Sequence, residues 1–142
     1  MLFRSAVVLK DTGKVIGNMY CGSRPFDARE IGFILHPSYQ RKGYALEAMQ
    51  AVIGSAFESG AHRVFAECDP RNEASWRLLE KLGLRREAHF RQNLFFHRNA
   101  SGQPLWKDTF VYAMLETEWN ETVRLSHAKG FVPGPGESNG EL

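Results

Sequence analysis

The chain has 142 residues, of which 43% are hydrophobic and 24% charged, and a net charge of +2; this suits one globular domain and excludes a disordered or strongly charged class. No apolar run approaches the roughly 20 residues that span a bilayer, and Arg4 interrupts the apolar start Met1-Leu2-Phe3 almost at once, so neither a membrane span nor a signal peptide is expected and the cytoplasm is the expected compartment. Basic residues come as the pairs Arg41-Lys42 and Arg85-Arg86 rather than as a stripe, and Cys21, Cys68 and five scattered histidines have neither disulfide nor metal spacing, so no nucleic-acid partner and no metal are expected.

Taken in order, residues 6–10 form a short apolar strand, Asp11-Thr12-Gly13-Lys14 a turn, and residues 15–20 a second strand, giving a hairpin. Residues 22–27, with Ser23, Pro25 and Asp27, are expected as a loop. A third strand covers residues 29–35 and ends before Pro37. From Ala45 the spacing turns helical, with Leu46, Met49, Ile53, Ala56 and Phe57 on one face and Gly60 as the stop. Residues 63–68 read as a strand parallel to the third, by the strand-helix-strand order. Asp69-Pro70-Arg71 breaks it, and Asn72 caps a helix running to Leu82, with Trp76, Leu79 and Leu82 inward. Strands over 88–97 and 106–115 follow, joined by a turn over 99–104, and the character changes from Thr117. The sum is an α/β domain with a mixed sheet, order βββαβαββ, over residues 1–119, and a tail over 120–142 that is expected to be disordered from about Gly130.

The junction between the third strand and the first helix is the informative stretch, Glu30 to Ala45. It brings Arg41, Lys42 and Gly43 to a helix start, where unpaired N–H groups and the positive end of the dipole favour an anion. Glycine permits close approach of a bulky group. These residues suit a phosphate or pyrophosphate cradle; they suit equally an ordinary strand-to-helix turn with solvated basic residues. Neither the Walker loop nor the dinucleotide fingerprint is present.

Gln40-Arg41-Lys42-Gly43-Tyr44-Ala45 matches the pattern (Q/R)-x-x-G-x-(G/A), preceded by His36-Pro37-Ser38-Tyr39. Together with Glu67-Cys68-Asp69-Pro70-Arg71-Asn72-Glu73-Ala74-Ser75-Trp76 and Leu79-Glu80-Lys81-Leu82-Gly83-Leu84, it resembles the GNAT superfamily of N-acetyltransferases, in its RimJ/RimL-type branch, over about residues 7–119. The resemblance implies a splayed mixed sheet, acetyl-CoA as co-substrate, and direct transfer of an acetyl group to a primary amine, either a peptide N-terminus or a small molecule. It implies that Gln40, Arg41, Lys42, Gly43, Tyr44 and Ala45 hold the pyrophosphate, that Phe33-Ile34-Leu35 pairs with the pantetheine arm, and that Asn72 binds it as well as capping its helix. The family's usual tyrosine donor to the leaving thiolate is replaced here by Leu79, which leaves Ser75 as the expected donor. A base must take the amine proton; Glu30 and then Glu67 are the candidates. The family's opening strand and two helices have no counterpart, so the chain reads as N-terminally shortened, with bare sheet surface that a homodimer could cover. Two alternatives follow from that departure: a catalytically idle CoA-binding or interaction module, and an inactive fragment of a longer acetyltransferase.

Overall fold

The computed structural model describes residues 2–128. Strands β1 (Leu2–Val8), β2 (Val15–Arg24) and β3 (Ala28–Leu35) form an antiparallel meander. A single turn of 3-10 helix (Pro37–Tyr39) leads to α1 (Tyr44–Glu58), β4 (Arg63–Cys68) and α2 (Glu73–Lys81). Strands β5 (Arg85–Leu94) and β6 (Lys107–Leu115) follow, and α3 (Glu116–Ala128) closes the described chain. The six strands make one sheet in the order β1-β2-β3-β4-β6-β5, parallel only between β3 and β4.

Several boundaries differ from the sequence expectations. β2 continues through Gly22 and Ser23 to Arg24, so the expected loop over 22–27 shrinks to a tight turn in which Phe26 and Asp27 take φ of 63° and 56°. Glycine and serine are weak strand formers, but Gly22 pairs on both sides, with Leu2 and with Glu30, and pairing overrides propensity. β5 starts at Arg85, straight after the left-handed turn at Gly83 (φ 93°), and stops at Leu94. The segment from Thr117 is a third helix, and it runs across the expected domain boundary at 119; the expectation of disorder from Gly130 concerns residues outside those described.

The core lies on one face of the sheet. Side chains alternate along a strand, so the cross-strand pairs Cys21–Ile31, Val64–Met114, Ala66–Tyr112 and Cys68–Phe110 share a face. That face packs on Met49, Val52, Ile53, Ala56 and Phe57 of α1, on Leu79 of α2, and on Trp119 of α3. Trp119 stacks on Phe57 with ring centroids 6.1 Å apart, which ties α3 to α1. Among the described residues no helix is long and apolar enough to cross a membrane, and no cluster of metal-ligating side chains occurs.

Candidate active site

β3 and β4 pair only at Ala28–Arg63, Arg29–Val64 and Glu30–Phe65. Beyond Glu30 the strands part, so the β3 backbone from Ile31 to Leu35 has no sheet partner on that side. A cavity of about 270 Å³ occupies the gap. Strand alternation sorts its lining. Ile31, Phe33 and Ala66 point to the helix face with Ser75 and Leu79, whereas Arg4, Asn18, Tyr20, Gly32, Ile34 and Glu67 belong to the other face. The cavity is therefore lined by side chains of both faces of the sheet.

The loop after β3 leads from the end of that strand to the start of α1. Gln40 Nε2 donates to the Leu35 carbonyl at 3.0 Å, which folds the loop back onto the strand end. His36 Nδ1 accepts from the Ser38 N–H at 3.2 Å and caps the short turn. Arg41 and Gly43 then take φ of 62° and 85°, and Gly43 is the N-cap of α1 without any side-chain cap. The first-turn N–H groups of α1, on Tyr44, Ala45 and Leu46, are left for a ligand. A Cβ at Gly43 would meet nothing within 4 Å, so the space before the helix end is open. Lys42 Nζ lies 5.8 Å from the centre of the Tyr39 ring, while Arg41 makes no ion pair or hydrogen bond among the described residues. Free donors, open space and an unpaired guanidinium suit a pyrophosphate.

At the far end of the gap, the Asn72 Oδ1 accepts from the Ser75 N–H at 3.2 Å and caps α2. This sets Ser75 at the cavity wall, beside Leu79, which is 1% exposed. Burial pushes the Cys68 thiol up to about 11, although the Ser75 hydroxyl acts in the opposite direction. Cys68 is thus a neutral thiol at ordinary pH and a poor nucleophile.

The two carboxylate candidates have different surroundings. Glu30 forms an ion pair with Arg24 and accepts from the Tyr20 hydroxyl at 3.4 Å, and it does not line the cavity. Glu67 lines the cavity and forms no ion pair among the described residues. Tyr20, absent from the sequence expectations, lies between them: burial raises its hydroxyl above the ordinary range, helped by the charges of Glu30 and Glu67. Its ring covers Gly32, where a Cβ would come within 2.0 Å of Tyr20 Cε1. Gly32 carried the only sequence signal for this contact, since a glycine inside a strand marks a bulge or a close approach. Arg4, Asn18 and Tyr20 had none, because their approach to the site is a matter of register.

A profile of the acetyltransferase (GNAT) domain matches residues 2–85. The chain belongs to the GNAT acetyltransferase family. It is 40% identical over 119 residues to the uncharacterized N-acetyltransferase YnaD of Bacillus subtilis (strain 168), covering 80% of this chain and 65% of that protein. The crystal structure of a GNAT-family acetyltransferase from Bacillus anthracis superposes with a TM-score of 0.71 at 34% identity, over 80% of this chain and 66% of that one. The ribosomal-protein-S5-alanine acetyltransferase from Vibrio fischeri gives a TM-score of 0.70 at 29% identity, over 83% of this chain and 63% of that one. The present GNAT chain thus spans just under two thirds of the length of these relatives. Within the family frame, the parting of β3 from β4 is the splay expected from the sequence.

Proposed function

We propose that this GNAT chain is an acetyl-CoA-dependent N-acetyltransferase acting on a primary amine. The observation that carries the reading is the parting of β3 from β4: the gap holds a cavity lined from both faces of the sheet, and the open α1 N-terminus follows the end of the same strand β3. The first-turn N–H groups of α1, with Arg41, Lys42 and Gly43, would hold the pyrophosphate. The backbone of Phe33, Ile34 and Leu35, without a sheet partner on the β4 side, would with Asn72 hold the pantetheine arm by strand-like hydrogen bonds. The bound thioester supplies the activated acetyl group.

The amine nitrogen forms a bond to the acetyl carbon, the C–S bond breaks, one amine proton is released, and the coenzyme leaves as its thiol. The amine has to be neutral to attack. Glu67 is the better placed carboxylate to accept that proton, directly or through water, because it lines the cavity, whereas Glu30 does not line it and is paired with Arg24. The Ser75 hydroxyl faces the same space and can donate toward the sulfur as negative charge develops there.

The test is thiol release from acetyl-CoA in the presence of primary amines and of peptides with free N-termini, with the product identified by mass. Amine-dependent release is expected, reduced about tenfold to a hundredfold in Ser75→Ala and in Glu67→Gln. A folded chain that binds acetyl-CoA but releases no thiol with any amine contradicts the proposal and favours an idle CoA-binding module.

A further inference from the structure

The acceptor-side mouth of the cavity holds two charged residues that have no ion-pair partner among the described residues. Arg4 lines it from β1 and forms no hydrogen bond, ion pair or ring contact among the described residues, whereas Arg24, Arg63, Arg71, Arg85 and Arg86 all have carboxylate partners. Glu67 lines it from β4, likewise without an ion pair among the described residues. The register explains why the two do not neutralise each other. Arg4 pairs with Tyr20, and Tyr20 with Gly32, so two strands separate Arg4 from the gap beside Glu67. With the further step across the gap to β4, the strands that carry Arg4 and Glu67 lie roughly 15 Å apart or more, less whatever the long arginine side chain leans inward. Between the charges lie the Tyr20 ring and the Asn18 side chain.

We propose that the acceptor is a small amine that also carries an anionic group, with Arg4 reading that group and Glu67 facing the amine. This rests on the reading of the cavity as an acyl-transfer site. The amine belongs at the negative end, because Ser75 and the gap through which the acetyl group must come are there. The positive end is then left for the far end of the acceptor. A carboxylate or a phosphate there gains a charge-assisted contact from a guanidinium that has no competing partner. A second ammonium there is repelled, so a polyamine is a poor acceptor. The separation favours a spacer of several bonds, as in an ω-amino acid or a dipeptide. The cavity, at about 270 Å³, is of a size for a small acceptor.

The experiment compares kcat/KM for matched acceptors at low salt: ω-amino acids from glycine to aminohexanoate, their carboxamides, an aminoalkyl phosphate, and spermidine. The carboxylate is expected to exceed its carboxamide by at least about tenfold at the best spacer length, with the margin shrinking as salt is raised. The aminoalkyl phosphate tells whether a phosphate serves as well as a carboxylate. Arg4→Lys is expected to keep the preference and Arg4→Gln to bring the two acceptors to within about twofold. Arg4→Glu is expected to invert the preference toward spermidine, a gain that misfolding does not produce. Equal kcat/KM for carboxylate and carboxamide, a preference for spermidine in the unaltered chain, or a preference unmoved by Arg4→Glu overturns the proposal while leaving acetyl transfer standing. Absence of transfer to every amine overturns both together.

Discussion

Gly32→Ala tests the acceptor side of the site at one atom. The backbone of Gly32 lies in the ordinary strand region, so alanine adds no φ strain and recovers about 0.5–1 kcal/mol of chain entropy. The cost is contact: the added Cβ would lie 2.0 Å from Tyr20 Cε1 and 2.6 Å from Cζ, so the ring has to leave. Displacing it forfeits the Tyr20–Glu30 hydrogen bond, worth about 1 kcal/mol, and repacks the mouth at about 1–3 kcal/mol. The net loss is about 1–3 kcal/mol, seen as a fall in Tm of roughly 3–10 °C. Acetyl-CoA affinity should stay within about threefold, because the cradle is on the other face, while kcat/KM for the amine should fall by at least about tenfold. A double-mutant cycle isolates the cause. In a Tyr20→Ala background the clash is gone, so Gly32→Ala should become neutral or slightly stabilising. Equal destabilisation with and without the Tyr20 ring would refute the reasoning.

Three further outcomes are expected. Cys68, with its thiol pushed up to about 11, should react slowly with iodoacetamide at neutral pH and faster as the pH approaches that value, with no acetylated cysteine in mass spectra during turnover; fast neutral-pH labelling would contradict this. Asp69 is held at about 2, against an ordinary 3.8, first by its hydrogen bond from Arg71 and also by Lys107. Its folded-state value is depressed, so the stabilisation it provides is complete above the unfolded value and is lost as the pH falls from about 4 toward 2; Asp69→Asn should be less stable at neutral pH and show a shallower acid limb in thermal melts. Trp119→Ala should cost about 3 kcal/mol or more, because Trp119 is 7% exposed and stacked on Phe57, and an unchanged Tm would mean that α3 is not part of the folded unit.

Most of the fold was legible because α1, α2 and β4 carry their periodicity and their stops in consecutive residues. The helix face of Met49, Ile53 and Phe57 is buried as its spacing predicts, and Asn72 caps α2. α3 was missed because its apolar face is thin: Trp119 is buried and Val123 packs beside it, but Leu125 is exposed and most of the helix is polar. Its start is fixed by Glu118, whose carboxylate accepts from the Leu115 N–H at 3.0 Å, a contact that a stretch reading E-T-E-W-N does not announce. The strand-to-helix junction proposed for the donor was legible for a related reason, since Gln40 to Gly43 and the first residues of α1 are consecutive in sequence. The acceptor side was not. Arg4, Tyr20, Gly32 and Glu67 come from four strands and meet only through register, which single-strand patterns do not encode.

The central claim, that the α1 N-terminus holds the coenzyme of a working transferase, is tested most directly by calorimetric titration of acetyl-CoA into this chain and into its Gly43→Asp variant. Asp tolerates the left-handed conformation better than most residues and is favoured at helix N-termini, so the variant should fold. At about 5 Å from a pyrophosphate, its carboxylate should oppose binding by about 2–3 kcal/mol, a loss of roughly 30- to 150-fold. Binding to the original chain with that loss in the variant is the predicted result. No heat of binding to a folded original chain, or equal affinity in the two proteins, would contradict the account.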